Sequence, residues 1–431
     1  MSMFRTMLSR RTVTVVLGVA ATLSVVTTSG ALASPGPGHQ PGAGGPWVTS
    51  YTGSPVAGGT VSGFTPSCPA GTGLTDQTVR DIVYSTVGGN EVRVRLTNTF
   101  GDTPLEVGHA AVAVSNSTGG EVPGTIRQLS FGGSAQVTIL PGAEALSDPV
   151  RLAVPAFRDL AVSVYLPDAT GPATQHFFAQ QTNYVAAGDA VLSRSAAPYT
   201  TPIYCSLFLD GVDVRSSGPV SGAVVALGDS ITDGFGSTIG GNDRWPNYLA
   251  RDLAVRPGNT LTAVDAGIGG NEVVTNRIPA LYGVNALSRL GRDVLLQAGA
   301  RYVILMEGVN DIGAQNTTAE QLIAADKQII AQAHAAGVKI YGATLTPFLG
   351  SNPDYGGNYG TAWGLAQWNA LNRWIRTSGA FDGVIDFAKV AADPANPLEL
   401  NPAYNSGDYL HLNDAGYAAL AAAAAKVLPL R

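Results

Sequence analysis

Two hydrophobic rhythms divide the chain. From Trp47 to about Val220 apolar positions alternate with polar or small ones: Val92, Val94 and Leu96 with Arg93 and Arg95, then Val162, Val164 and Leu166 with Ala161, Ser163 and Tyr165. A period of two sends one face of a strand into a core and the other outward. Further short apolar runs at 79–84, 110–114, 136–139 and 204–209 predict more strands, and Gly88-Gly89-Asn90, Gly119-Gly120, Gly132-Gly133 and Pro141-Gly142 supply turns between them. Short strands without helices predict an all-β sandwich, jelly-roll-like.

From Ser221 the rhythm changes. Continuous apolar runs at 223–227, 261–264, 302–306, 339–345 and 384–387 have the character of parallel strands covered on both faces. Helical spacing falls between and after them, at 246–254, 286–296, 320–335, 365–376 and 415–427. Thr317 or Thr318, followed three residues later by Glu320 or Gln321, predicts a capping box at the start of the third helix. Strand and helix in alternation predict an α/β domain with a parallel sheet and right-handed crossovers.

Length and composition add boundaries. At 431 residues the chain exceeds one ordinary domain, and with 45% hydrophobic and 13% charged residues it can fill two cores. Arg5, Arg10 and Arg11, the uncharged run 13–26 and Ala31-Leu32-Ala33 predict a signal peptide over 1–33, hence a secreted protein without a stable membrane anchor. Pro- and Gly-rich 34–46 reads as a flexible leader, 47–220 as the β domain and 221–431 as the α/β domain. Cys68 and Cys205 are the only cysteines, and in an exported chain they are expected to pair. Neither Cys-x-x-Cys nor His-Glu-x-x-His occurs, so no metal or other cofactor is expected. The net charge of −6, with no basic cluster interleaved with aromatics, argues against nucleic acid as a partner.

In open α/β sheets ligands bind beyond the carboxyl ends of the strands. After the first predicted strand comes Gly228-Asp229-Ser230-Ile231-Thr232, after the second Gly267-Ile268-Gly269-Gly270-Asn271, after the third Glu307-Gly308-Val309-Asn310-Asp311. Beyond the fifth, immediately before the last helix, comes Asp408-Tyr409-Leu410-His411. A serine hydroxyl needs an adjacent base to attack a carbonyl. Of the five histidines, His39 lies in the leader, His109 and His176 in the β half, and His334 in an alanine-rich helix. His411 alone follows a carboxylate by three residues in a short loop, where Asp408 can orient the imidazole. The backbone N–H groups of Ser230 and Gly270 and the Asn310 amide are candidate oxyanion donors.

These four blocks, Gly-Asp-Ser at 228–230, Gly270, Gly-Val-Asn-Asp at 308–311 and Asp-Tyr-Leu-His at 408–411, resemble those of the SGNH (GDSL) hydrolase superfamily in order and spacing across 221–431. The resemblance implies Ser230 as nucleophile, Asp408 and His411 completing a triad, Gly270 and Asn310 as oxyanion donors, and a flavodoxin-like three-layer fold with a five-stranded parallel sheet. Gly228 to Gly234, Arg244-Trp245-Pro246, Arg292-Asp293-Val294-Leu295 and Ala343 to Phe348 look like the secreted acylhydrolase and arylesterase branch named for an enzyme encoded beside xylanases. Leu412 stands where that branch often has proline.

The expected activity is therefore carboxylic ester hydrolysis through an acyl-enzyme on Ser230, on a small-molecule ester or an acyl group of a plant polysaccharide. A lipase or phospholipase of the same fold, with the Gly-rich loop 347–361 as a lid, stays open. So does a carbohydrate-binding protein on an inactive hydrolase scaffold, although none of Ser230, Asn310, Asp408 and His411 is missing. Thr344, Thr346 and Phe348, following the fourth strand, are candidate pocket walls, and one of Trp363, Trp368 and Trp374 is a further candidate. Asp229 and Asp311 read as turn or helix caps, and Arg292-Asp293 as an ion pair.

Overall fold

The computed structural model describes residues 45–59, 68–116 and 119–429. The signal peptide and nearly all of the leader expected at the N-terminus lie outside them. Among the described residues no helix is long and apolar enough to cross a membrane.

Two antiparallel sheets build the first half. One has the order Trp47–Thr52, Leu209–Ser216, Gly89–Thr97, Glu144–Leu146, with Val150–Val154 also paired to Gly89–Thr97. The other runs Gln77–Ser85, Arg158–Leu166, His109–Val114, Arg127–Gln128, and Asn183–Ala187 and Thr201–Ile203 extend it beyond Gln77–Ser85. The order in which the chain visits these positions is that of a jelly roll. The alternation in the sequence sets the register: Leu160 pairs with Val83 and Val164 with Val79 in one sheet, Val92 with Val214 and Val94 with Val212 in the other, and all of them enter the sandwich core. The predicted strand at 204–209 is broken into Ser206–Leu207 and the start of Leu209–Ser216, because Phe208 takes a φ of 60° that turns the chain from one pairing to the next. Cys68 and Cys205 form a disulfide.

The second half is a parallel sheet ordered Leu261–Gly267, Gly222–Gly228, Ala300–Met306, Lys339–Ala343, Gly383–Ile385. Numbered along the chain this is 2-1-3-4-5, the flavodoxin-like order, whose switch point lies between the Gly222–Gly228 and Ala300–Met306 strands. Helices Trp245–Ala254, Ala319–Ala335, Ala362–Thr377 and Asp414–Val427 pack on it over a core that includes Val224, Leu249, Ile304, Leu371 and Leu420. Thr318 and Gln321 make the predicted capping box. The helix expected at 286–296 is α-helical over Ala286–Leu290 and continues as a π-helix over Gly291–Leu295.

The two halves pack as one compact unit rather than as separate bodies. Thr49 N–H donates to the Ala298 carbonyl (2.8 Å), Gly240 N–H to Gln180 (3.0 Å), and the Asn242 amide to Asp159 (3.0 Å). Val56 and Phe177 of the sandwich bury themselves against Ile268 and Leu281 of the α/β half.

Candidate active site

Ser230 opens the short helix Ser230–Asp233 at the carboxyl end of Gly222–Gly228. The turn is tight enough to demand glycine at 228, where a Cβ would lie 2.2 Å from Thr232 Oγ1 and 2.6 Å from the Met306 carbonyl. Asp229 caps this helix by accepting the Ile231 N–H at 2.9 Å. Its burial, together with the neighbouring Asp311, pushes its carboxyl up to about 7, against the Ile231 hydrogen bond and the Arg289 charge. Ser230 Oγ lies 2.7 Å from His411 Nε2, and His411 Nδ1 lies 2.7 Å from Asp408 Oδ2.

The loop before the last helix is built for that second contact. Tyr409 adopts a φ of 60°, an unfavourable conformation for a non-glycine residue, and Asn405 Oδ1 holds its N–H. The bend lets Asp408 Oδ1 accept the backbone N–H groups of Leu410 (3.0 Å) and His411 (2.8 Å) and the Ser406 hydroxyl (3.1 Å). Burial works against a charge on Asp408. The His411 hydrogen bond and charge and the two backbone donors outweigh it and hold the carboxyl well below the usual carboxylate range. With Asp408 ionised, the Nδ1 facing it carries the proton, which leaves Nε2 as an acceptor for the serine hydroxyl. Tyr355 OH also donates to Asp408 Oδ2 at 2.8 Å, and burial beside that carboxylate raises the phenol above its ordinary range, so it remains a donor.

Gly270 and Asn310 border the same cavity as Ser230 and His411. Gly270 has a φ of 74°, and a Cβ there would meet the Tyr282 ring at 2.4 Å. Asn310 lies in the first turn of Val309–Gln315, yet it does not cap that helix. Its Oδ1 accepts Tyr359 OH at 2.6 Å, and one Nδ2 hydrogen goes to the Asn271 carbonyl at 2.9 Å. These two bonds fix which end of the amide is nitrogen and leave its second hydrogen for a ligand. The Asp311 carboxyl oxygens take the N–H groups of Val273 and Val274 at 2.8 and 3.0 Å and tie the Gly270 loop to the Asn310 helix.

The cavity over Ser230, about 130 Å³, is walled by Phe177, Phe178, Phe235, Tyr282, Tyr355 and Tyr359, with Arg277 and Leu410 beside them. The expected walls are elsewhere. Thr344 and Phe348 are fully buried and Thr346 nearly so. The Thr344 hydroxyl bonds Asp386 and the Ala388 N–H, and Phe348 packs edge-on against Trp368. The reason is topological: the Ala300–Met306 strand stands between the fourth strand and the one bearing Ser230, so the fourth strand's end opens one position too far away. Trp363, Trp368 and Trp374 do not line this cavity. The Trp368 indole donates to the carbonyls of Leu345 and Thr346. Arg292 pairs with Asp293 as expected.

Sequence reasoning missed the two tyrosines and a buried arginine. Tyr355 and Tyr359 come from the Gly-rich loop expected as a lid, which folds into a short helix Asn352–Tyr355 and a turn against the site. Arg289, fully enclosed, donates to the carbonyls of Gly228 (2.9 Å) and Ala266 (2.7 Å) and to Asn271 Oδ1 (2.8 Å), joining the ends of two strands beneath the site. A single arginine in an amphipathic stretch carries no signal of such a role.

Ser230, His411 and Asp408 are hydrogen-bonded in line at the switch point of the 2-1-3-4-5 sheet, and Gly270 and Asn310 border the same cavity. Residues 226–419 match the model of the GDSL-like lipase/acylhydrolase family. Solved structures similar to the chain include the aryl esterase of M. smegmatis, at 16% identity and a TM-score of 0.38 over 48% of this chain and 97% of that one. A carbohydrate acetylesterase family member from Sinorhizobium meliloti gives 18%, 0.37, 48% and 96% in the same measures. A GDSL-like lipase from Bacteroides thetaiotaomicron gives 17%, 0.36, 48% and 87%. No curated protein matches the chain.

Proposed function

We propose that the protein is a secreted serine esterase that removes short acyl groups, on small molecules or on plant polysaccharide, through an acyl-enzyme on Ser230. The observation that carries this reading is the unbroken hydrogen-bonded line Ser230–His411–Asp408 at the cavity over Ser230. His411 Nε2 takes the hydroxyl proton as Oγ bonds to the carbonyl carbon, and the negative charge moves to the carbonyl oxygen, facing the N–H groups of Ser230 and Gly270 and the Asn310 amide. Collapse breaks the ester C–O bond, and the alcohol leaves with the proton held by His411. Water then repeats the sequence: His411 takes its proton, the acid is released, and the proton returns to Ser230. The cavity over Ser230 is lined mainly by aromatic rings, an apolar wall suited to an acyl group.

The test is a panel of acetylated xylan, p-nitrophenyl esters of rising chain length and phospholipid, assayed with wild type and Ser230→Ala, alongside labelling by a serine-directed phosphonate. Wild type is expected to turn over short esters and to carry the label on Ser230, and the alanine variant to be folded, inactive and unlabelled. Equal turnover by the two proteins would eliminate the mechanism.

A further inference from the structure

The α/β half brings the reacting groups, yet one wall of the cavity belongs to the β-sandwich. Strand Gln175–His176 pairs antiparallel with Ser206–Leu207 and is pinned on its other side by a bridge from Gln175 to Val56. The Gln175 amide adds bonds to the carbonyls of Ala57 and Gly59. From this anchored strand the chain runs directly into the cavity as Phe177 and Phe178.

The contact with the oxyanion loop is close. A Cβ on Gly269 would lie 2.5 Å from the Phe178 ring and 3.1 Å from that of Phe177. The Phe178 ring centroid is 5.3 Å from Phe235, whose own ring stands 4.5 Å from His411. Beneath them His176 is buried, with Nε2 at 3.0 Å from Asp233 Oδ1, while Asp233 Oδ2 accepts the Gly269 N–H at 2.9 Å. A line of hydrogen bonds therefore leads from a sandwich histidine to the residue before Gly270. Burial alone would drive the His176 imidazole to its neutral form, but the Asp233 charge and hydrogen bond outweigh it and raise its pKa.

We infer that residues 176–178 of the β-sandwich are part of the esterase site: Phe177 and Phe178 set the size of the acyl group, admitting a short chain or a single ring, and His176 is a positioning residue that holds the Gly269–Gly270 loop through Asp233. The inference rests on the serine esterase reading above. Truncating a wall ring opens room for further methylenes, each of which shifts selectivity by roughly 10-fold or more in an apolar pocket. Loosening the oxyanion loop instead lowers the chemical step, since displacement by about 1 Å costs on the order of 10²-fold.

The experiment measures kcat and KM on p-nitrophenyl acetate, butyrate and octanoate for the full-length wild type, Phe178→Ala, the milder Phe178→Leu, Phe177→Ala, His176→Ala and His176→Gln, with phosphonate labelling of each. Wild type is expected to favour acetate. The phenylalanine variants should raise the octanoate-to-acetate ratio of kcat/KM by roughly 10-fold or more, with Leu intermediate, while Ser230 stays reactive. His176→Ala should lower kcat by about 10- to 100-fold with little change in KM, and His176→Gln, which keeps an N–H for Asp233, should recover most of it. An unchanged chain-length profile in phenylalanine variants that still turn over acetate overturns the wall. A rise in KM at constant kcat, or no recovery in folded His176→Gln, overturns the positioning role. A wild type that neither hydrolyses esters nor labels at Ser230 removes the serine esterase reading itself, and this inference with it.

Discussion

Asn310 is where a structural and a chemical role for one side chain separate by measurement. Its carbonyl oxygen serves Tyr359 and one amide hydrogen serves Asn271, so Asn310→Ala leaves two buried groups without a partner, a cost of about 1–3 kcal/mol each at most. If the second hydrogen meets the developing oxyanion, kcat should also fall by roughly 10²–10³-fold, about 2.7–4 kcal/mol, with KM little changed. Tyr359→Phe removes the structural bond and keeps the amide, and is expected to cost less than about 10-fold in kcat. Kinetics and melting temperature of both variants decide the matter. A destabilised Asn310→Ala with near-normal kcat would make the amide purely structural. Ser230, Gly270, Asn310, Asp408 and His411, each of which follows a strand or precedes a helix that its own periodicity announces, are brought together in one place. Phe177, Phe178, Tyr355 and Tyr359 could not be read from the sequence, since they reach the site from another sheet or from an irregular loop.

At the scale of elements, periodicity located the five parallel strands and the long helices to within a few residues, and it lost precision wherever backbone conformation departs from the regular menu. The left-handed Phe208 splits one strand, the π-helical turn over Gly291–Leu295 extends one helix, and a short helix hides in a Pro- and Gly-rich loop. The helix bearing Ser230 carries a testable consequence of its buried cap. Asp229 has its pKa raised by burial to about 7, against about 3.9 in the unfolded chain. The folded state thus retains a proton that the unfolded state has lost across this interval. The stability contributed by the protonated group is full below about pH 4, declines as pH rises, and is gone above about 7. Asp229→Asn keeps a good cap and cannot ionise. Denaturant titrations from pH 4.5 to 8 are expected to show a flatter stability profile for Asp229→Asn than for wild type. Parallel profiles would mean that Asp229 is ionised in the folded protein.

For the whole molecule, the change of rhythm near Ser221 marks a change of architecture, and the sequence suggested two domains on that ground. The packing makes them one body, joined by hydrogen bonds such as Thr49 to Ala298 and by the Val56, Phe177, Ile268 and Leu281 cluster, contacts between segments too distant in sequence for any local pattern to register. The Cys68–Cys205 bridge spans a sequence separation of 137 residues within the sandwich. On the chain-entropy model a loop of that length stabilises the fold by ~4–5 kcal/mol. Reduction, or the double Cys→Ser variant, should lower the urea midpoint accordingly, and because the halves are joined by that cluster and those hydrogen bonds the loss of β-sheet signal and of esterase activity should coincide. Two separate transitions would show that the halves unfold independently.

That Phe177 and Phe178 stand on a jelly roll while Ser230, Asp408 and His411 stand on a flavodoxin-like sheet divides the inheritance of the enzyme in two. On the proposed reading, chemistry is encoded in one segment of the gene and substrate preference partly in another. On that reading substitutions at 177 and 178 would diversify the range of esters, within limits set by their packing on Gly269 and, through Phe235, on His411, whereas His176, one residue away, ties any such drift to the geometry of the loop beneath it. A lineage carrying this fold would be expected to vary most at the two rings and least at the histidine that precedes them.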